Sequence, residues 1–349
     1  MPLIHTIIFG VYYSALTLLV LYGGHRLHLA IGLFRRGEEA PAEVPDELPL
    51  VTLQLPMFNE RHVAERLLRA SAKIQYPKDR LQIQVLDDST DDTTVIVDRV
   101  VDELQRAGHN IVAVRRPERT GYKAGALEYG LTEATGEFVA IFDADFVPEP
   151  GFLKDLIGHF SDPTVGMVQA RWGHLNRNSS LLTRAQAVLL DGHFVVEQTA
   201  RSRAGRFFNF NGTAGIWRRT AIDDAGGWEH DTITEDLDLS YRAQIKGWRF
   251  IYRTDVVAPA ELPAELNGFK TQQHRWAKGS IECFGKLFPK LLRSEASLMT
   301  KLEGAVHLTA NLSYLLMLVV ALTMPVVTII RQEYPSSALG WADLTLFGV

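Results

Sequence analysis

The chain has 349 residues, of which 46% are hydrophobic and 22% charged, and a formal net charge of −5 with His neutral. That length suits one large domain or two ordinary ones. The apolar content excludes a disordered chain, and the acidic balance argues against a general nucleic-acid binder, which needs a basic field to meet phosphates.

In chain order, the first element is an apolar run from Leu3 to Gly24 that carries no Asp, Glu, Lys or Arg. About 20 apolar residues in helix cross a bilayer, so it is predicted to span one. It lacks the positive leading region of a secretory signal and reads as an uncleaved anchor. Arg26, Arg35 and Arg36 follow it, and Glu38 to Leu48 is a Pro/Glu/Ala linker.

The middle segment alternates strand and helix. Val51–Leu55 is predicted as a strand, His62–Ile74 as a helix, Leu81–Leu86 as a strand and Thr93–Ala107 as a helix. Ile111–Val114 is predicted as a strand, Tyr122–Ala134 as a helix and Phe138–Phe142 as a strand. This βαβαβαβ order is predicted to give an α/β fold with a mainly parallel sheet and helices on both faces. Further on, Val165–Trp172 reads as a strand, Leu181–Gln198 as a long helix and Phe207–Gly215 as a loop. Glu235–Lys246 reads as a helix and Trp248–Val257 as a strand.

Gln272–Leu292 is amphipathic and reads as a helix in the membrane interface, or as a surface helix packed on the domain. Lys286, Lys290, Arg293 and Lys301 then precede a second apolar run, Gly304–Ile330. A buried core helix is the alternative for either run. Basic residues flank the middle segment on both sides, which predicts a cytoplasmic location for it. Leu344–Val349 looks like the opening of a third span, as if the sequence were a piece of a longer membrane protein. The predicted division is a transmembrane helix over 1–24, a basic segment and linker over 25–48 and a cytoplasmic domain over 49–262. Interface helices over 263–300 and a transmembrane helix over 304–330 follow, then an extracytoplasmic loop and the start of a third span over 331–349.

Ligands of open α/β sheets bind beyond the carboxyl ends of the strands, and the polar residues predicted there are acidic. Asp143-x-Asp145 closes the fourth strand. On an extended chain residues i and i+2 point the same way, so the pair can hold Mg²⁺ or Mn²⁺ with positions left open for phosphate oxygens. Solvated turn carboxylates are the plain alternative. Asp87 and Asp88 close the second strand; Asp88 is assigned to ligand, and Ser89, Thr90 and Asp91 to capping the next helix. Gly121-Tyr122-Lys123-Ala124-Gly125 opens a helix, where backbone N–H groups and a lysine favour a diphosphate. Thr234-Glu235-Asp236 opens another, and an acid at a site's edge is either a cap or a general base. Gln272-x-x-Arg275-Trp276 combines an amide, a cation and an indole, suited to a diphosphate and a stacked sugar or to a membrane-interface anchor. Cys283, the one cysteine, excludes an intrachain disulfide and reads as an apolar filler. His174, His193 and His230 are dispersed and show no metal spacing, and Trp172 and Trp228 line a sugar path or pack in the core.

These motifs occur in one order. Gln54-Leu55-Pro56-Met57-Phe58-Asn59-Glu60, Asp87-Asp88-Ser89, the Lys123 segment, Asp143-Ala144-Asp145, Thr234-Glu235-Asp236 and Gln272-Gln273-His274-Arg275-Trp276 together resemble the processive family 2 glycosyltransferases of the cellulose synthase superfamily. Phe207–Gly215 looks like the cellulose synthase-like A and C proteins, the mannan and xyloglucan-backbone synthases. The resemblance covers about Leu50–Leu292. It implies a GT-A fold on the cytoplasmic face and an inverting transfer of glucose or mannose from UDP-glucose or GDP-mannose to a growing β-linked glycan. By the same resemblance Asp88, Lys123, Asp143 and Asp145 bind the nucleotide sugar, with Asp143 and Asp145 on the metal. Asp236 is the base. Gln272, Arg275, Trp276, Asn211, Gly212, Thr213 and Glu235 hold the acceptor and diphosphate. Asn211-Gly212-Thr213 departs from the Cys-Gly-Ser element of bacterial cellulose synthases, which speaks against a simple cellulose assignment.

Two other readings compete. One is a single transfer to a membrane lipid; the other is a silent subunit that binds nucleotide or glycan, which retention of Asp143, Asp145 and Asp236 disfavours. Two spans cannot enclose an export channel, so either a longer chain, further protomers or another membrane subunit completes it, or the product is not exported this way.

Overall fold

Seven strands form one sheet in a computed structural model of the chain, which describes residues 2–35 and 39–333. Helix α1 (Leu3–Arg35) comes first. Then follow β1 (Val51–Met57), α2 (Ala64–Ser71), β2 (Leu81–Asp87), α3 (Thr93–Arg106), β3 (Ile111–Val114), α4 (Tyr122–Glu133) and β4 (Phe138–Ile141). The second half adds α5 (Phe152–Ile157), β5 (Val165–His174), α6 (Leu181–Asp191), α7 (Gln198–Arg203), β6 (Gly215–Arg218) and α8 (Arg219–Asp224). It closes with α9 (Glu235–Ile245), β7 (Arg249–Ala260), α10 (Leu266–Arg293), α11 (Leu298–Thr309) and α12 (Leu312–Glu333).

The strand order is β3-β2-β1-β4-β6-β5-β7, and β6 alone runs antiparallel to its neighbours β4 and β5. Successive side chains of a strand point to opposite faces. Phe138 and Ala140 of β4 therefore enter one core with Leu53 and Leu55 of β1, Leu67 of α2 and Val100 of α3. Val139 and Ile141 enter a second core with Leu127 of α4, Trp217 of β6 and Leu239 of α9. Helices cover both faces, so the loops at the carboxyl ends of the parallel strands are left free to build a site.

The α/β reading holds, with corrections of detail. The sheet is mixed, because the loop predicted over Phe207–Gly215 feeds a four-residue antiparallel strand, β6, too short for periodicity to reveal. Helices α5 and α8 have six residues each and escaped for the same reason. The long helix predicted over Leu181–Gln198 runs on to Arg203 through a wide π-type turn at Gly192–Glu197. The second apolar run is broken. Its first residues belong to α11, which buries Glu303 and Leu308 against the domain, and α12 begins at Leu312. Average hydropathy hid this, because it does not register the break at Ala310–Asn311 or that α11 buries Thr300, Glu303 and Leu308 while Leu298, Met299 and Leu302 are exposed.

Helices α1 and α12 are long and apolar enough to cross a bilayer. They pack through Phe9, Tyr12, Leu16, Val327 and Ile330 and turn residues such as Leu3, Ile7, Leu21, Leu315, Leu322 and Ile329 outward. At 33 residues α1 is about 50 Å long, more than the hydrocarbon core of about 30 Å requires. Its last third meets the domain. His25 pairs with Glu303 at 2.7 Å, and Arg203 of α7 donates to the Leu33 carbonyl at 3.0 Å. The Arg35 side chain, Arg36 and the run Leu344–Val349 lie outside the described residues. Helix α10 packs on the domain, with Cys283, Leu287 and Leu291 buried against Leu237 and Tyr241 of α9. Cys283 is thus the filler expected, its thiol pushed up to about 12 by burial.

Candidate active site

Five loops and two helix starts converge at the carboxyl edge of the sheet. The loops after β1 and β2 are laced together: Asn59 donates its backbone N–H to Ser89 Oγ at 3.0 Å and accepts the Thr90 N–H at 2.8 Å. Ser89 and Thr90 therefore serve Asn59 rather than capping α3. Asp91 does the capping, accepting the Thr93 N–H at 3.0 Å. Asp87 is buried and takes Arg115 at 2.8 Å. Asp88 is gripped by both ends of one guanidinium, Arg116 Nε at 2.9 Å and Nη2 at 2.6 Å. The same Arg116 donates to the carbonyls of Thr120 and Tyr122, so it ties Asp88 to the loop that opens α4.

On the first turn of α4, Lys123 Nζ reaches Asp143 Oδ1 at 2.5 Å and donates to the Gly212 carbonyl at 2.9 Å. Asp143 and Asp145 lie in a turn after β4, closed by a bond from the Phe146 N–H to the Asp143 carbonyl at 3.1 Å. The extended geometry expected for the pair is thus replaced by a turn. Asp143 donates its own N–H to Thr213 Oγ1 at 2.9 Å. Three non-glycine residues at this edge have positive φ: Asn59 at 59°, Tyr122 at 49° and Ala214 at 56°. Such conformations persist only where surroundings impose them, and they gather at functional sites.

Gly212 has φ 78°, and a side chain there would lie 3.2 Å from Asp236 Oδ2 and 3.3 Å from Lys123 Nζ. Its lack of one lets the 207–215 segment lie against the acid and the cation at once. Asp236 starts α9 beside Glu235, and its Oδ1 accepts the Leu237 N–H at 2.8 Å. Helix α10 crosses the same start at Gly279, where a Cβ would sit 2.5 Å from the Thr234 side chain. That close crossing holds the helix bearing Gln272, Arg275 and Trp276 against α9. These three make no side-chain hydrogen bond to another described residue, and Arg275 is exposed. The positive charge of Arg275 is felt at Glu235.

The electrostatics follow from crowding. Burial, then the Glu235 charge, pushes Asp236 up to about 7. Burial raises Glu235 as well, against the pull of Lys123. Burial, then Asp143, pushes Asp145 up to about 7. Glu60 is raised by burial and by Asp143 and Asp91. Burial alone would lower the Lys123 ammonium, but Asp143, Glu235 and Asp236 raise it. Several carboxylates thus share little positive charge, and an all-oxygen donor set of this kind fits a hard divalent cation. A second acidic trio, Glu229, Asp231 and Asp238, does not serve that purpose. Lys286 Nζ fills it, at 2.5, 2.6 and 2.9 Å.

Sequence reasoning brought together Lys123, Asp143, Asp145, Asn211, Gly212, Thr213, Glu235 and Asp236, which are neighbours here. It missed Arg116, Gln169 and Gln198. The signal for Gln169 was a lone amide inside an apolar strand, Val165–Ala170. Among the other residues considered, Trp228 packs with Trp217 and Phe210 in the core, while Trp172 is partly buried on Phe146 and Phe194. His174 pairs with Asp191 at 2.9 Å.

Residues 49–279 match the model of a family described as glycosyltransferase-like family 2. Glucomannan 4-beta-mannosyltransferase 1 of Oryza sativa subsp. japonica is 46% identical over 256 residues, 71% of this chain and 48% of that protein. Glucomannan 4-beta-mannosyltransferase 2 of Arabidopsis thaliana is 47% identical over 254 residues, 71% of this chain and 47% of that one. The chain spans about half the length of the curated relatives it matches. Among solved structures, the mannosyltransferase PcManGT from Pyrobaculum calidifontis in complex with GDP-Man and Mn2+ superposes with a TM-score of 0.69. Its identity is 23%, over 99% of this chain and 92% of that one. S. aureus TarS in complex with UDP-GlcNAc gives 0.55 at 16% identity, over 75% and 72%. At these identities the likeness speaks for the fold, which is GT-A.

Proposed function

The chain belongs to glycosyltransferase-like family 2, and on that premise we propose that it is a membrane-bound inverting hexosyltransferase that extends a β-linked mannan or glucomannan from GDP-mannose. The observation that carries this reading is the near-half identity to proteins named glucomannan 4-beta-mannosyltransferases, joined to an acid, Asp236, lying against the Gly212 backbone and within the field of Lys123. The α1 and α12 helices hold the catalytic unit to the membrane with its site on the cytoplasmic side.

The chemistry is a single displacement. An acceptor hydroxyl oxygen forms a bond to the anomeric carbon as the bond from that carbon to the diphosphate oxygen breaks. The electron pair leaves with the diphosphate, and the hydroxyl proton passes to Asp236. An acid near 7 suits this task, since it is ionised at working pH yet basic enough to take a proton. Lys123 and Arg275 meet charge that develops on the leaving diphosphate. Asp143 and Asp145 would hold a divalent cation, Mg²⁺ or Mn²⁺, which would supply further positive charge against the departing diphosphate. Asp88, fixed by Arg116, lines the nucleotide end, and Asn211–Thr213 with Glu235, Gln272 and Trp276 line the acceptor end.

Membranes carrying the protein, supplied separately with GDP-mannose and UDP-glucose and a divalent cation, test the reading. Polymeric label from GDP-mannose, absent in Asp236→Asn, is expected. Polymeric label from UDP-glucose alone changes the donor. Label that extracts into organic solvent replaces the polymer with a lipid acceptor, and no transfer together with no nucleoside diphosphate release makes the chain a silent subunit.

A further inference from the structure

The segment that lies between Lys123 and Asp236 does not hold its own shape. It contains Gly212 and Ala214, both at positive φ, and it is neither helix nor strand until Gly215. Buried amides from three elements hold it instead. Gln244 of α9 takes both polar groups of Phe208, accepting its N–H at 3.2 Å and donating to its carbonyl at 2.8 Å. Gln198 of α7 donates to the Asn209 carbonyl at 3.0 Å and to Asn211 Oδ1 at 3.1 Å. Gln169 of β5 covers the rest. Its Oε1 accepts the Asn211 N–H at 3.1 Å, and its Nε2 faces the carbonyls of Thr213 at 3.0 Å, Ala214 at 2.9 Å and Ala170 at 2.8 Å.

Gln169 is 0% exposed, and it touches neither Lys123 nor either acid of the site. It acts one step back. The residues it clasps flank Gly212, whose carbonyl accepts from Lys123, and include Thr213, whose Oγ1 accepts the Asp143 N–H. A buried amide could satisfy itself with a single neighbouring strand. This one spends both ends on the turn from Asn211 to Ala214, and it is the described side chain that brackets that turn on both sides of Gly212. We propose that Gln169 is a positioning residue for transfer: by fixing Asn211–Ala214 it sets the alignment of Lys123, Asp143 and Asp236 relative to the acceptor hydroxyl. The inference rests on the reading of Asp236 as the base.

Gln169→Met keeps the length and removes every hydrogen bond. Transfer per folded molecule is expected to fall on the order of 10²-fold, the cost of a misplacement of about 1 Å. Nucleoside diphosphate released per sugar transferred is expected to rise, because water replaces a misaligned acceptor. A role confined to folding lowers both in proportion, and an unchanged ratio with unchanged turnover per folded molecule overturns the proposal. Amide hydrogen exchange in the full-length protein reads the segment without reference to activity. Faster exchange over Asn211–Gly215 with the rest unchanged is expected, and wild-type exchange there overturns the proposal even if the transferase reading has failed. If Gln169→Met does not fold, Thr213→Val severs the same link at its outer end. It is then expected to raise the hydrolysis-to-transfer ratio, and a wild-type ratio in that variant overturns the proposal.

Discussion

Lys123 Nζ stands 2.5 Å from Asp143 Oδ1, so the cation expected to meet a diphosphate is also the counter-ion of an acid expected to bind metal. The two roles share one charge. Removing it by Lys123→Met leaves Asp143, Glu235 and Asp236 without their nearest cation. Transfer is expected to fall on the order of 10²–10³-fold, as for other groups that meet developing charge. Lys123→Arg is expected to recover little, because a bulkier planar guanidinium does not take the place of a compact ammonium held between the Asp143 carboxylate and the Gly212 carbonyl. Initial rates at saturating donor measure both.

The pH profile of transfer should carry an ascending limb centred near 7. Asp236 is held up to about 7 by burial and by the Glu235 charge, and a base works only when ionised, so activity is lost as pH falls through that value. Glu235→Gln removes the like charge and is expected to move the limb to lower pH. A profile flat between pH 5 and 8 would sink the assignment of Asp236.

Chelation is expected to abolish transfer, and added Mg²⁺ or Mn²⁺ to restore it. Asp145→Asn should raise the metal concentration needed for half-activity, while Glu229→Gln should leave it unchanged because Lys286 fills that trio. Metal titrations of the two variants distinguish the acidic clusters. Lys286→Met should instead cost stability, about 1.5–3 kcal/mol for a lost bond to a buried charge, since Arg242 still pairs with Asp238 at 2.7 Å. Thermal unfolding in detergent reads it.

Arg201 is 2% exposed and binds Glu303 at 2.9 Å and Glu197 at 3.3 Å, which joins α7 to α11 and, through His25, to α1. Arg201→Met is expected to destabilise by about 3–5 kcal/mol, because two acids lose their buried partner. The sign with pH follows from Glu303. Burial opposes its ionisation, but His25 and Arg201 overcome this and hold it at about 2, below its unfolded value. Its stabilisation is therefore complete above the usual carboxylate range and is lost as pH falls from about 4.5 toward 2. Unfolding midpoints measured across that interval check the slope.

Much of this was readable from the residues. Strands β1 and β2 declare themselves because apolar residues recur with the period of the pleat, β3 and β4 because they are short unbroken apolar runs, and the acids that end β2 and follow β4 fall where α/β sheets bind ligands. The segment around Gly212 was legible as a site by its residues but not in its geometry, because its shape is imposed by Gln169, Gln198 and Gln244, which are distant in sequence. The grip of Arg116 on Asp88 was hidden for the same reason: ion pairing across two loops leaves no periodic trace. The start of the second span at Gly304 was misjudged because hydropathy sums apolar residues without registering where the backbone leaves the helix, here at Ala310–Asn311.

The wide turn at Gly192–Glu197 works as a phase shifter in an otherwise continuous rod. Bonds that skip one extra residue insert about 100° of rotation before the helix resumes. Everything beyond the turn inherits that angle, including Gln198, which clasps Asn209, and Arg201, which reaches Glu303. Deleting one residue within 192–197 would leave a more regular helix and an unchanged composition. It would also swing both side chains off their partners, so the irregularity is the part of the rod that determines what the regular turns can touch.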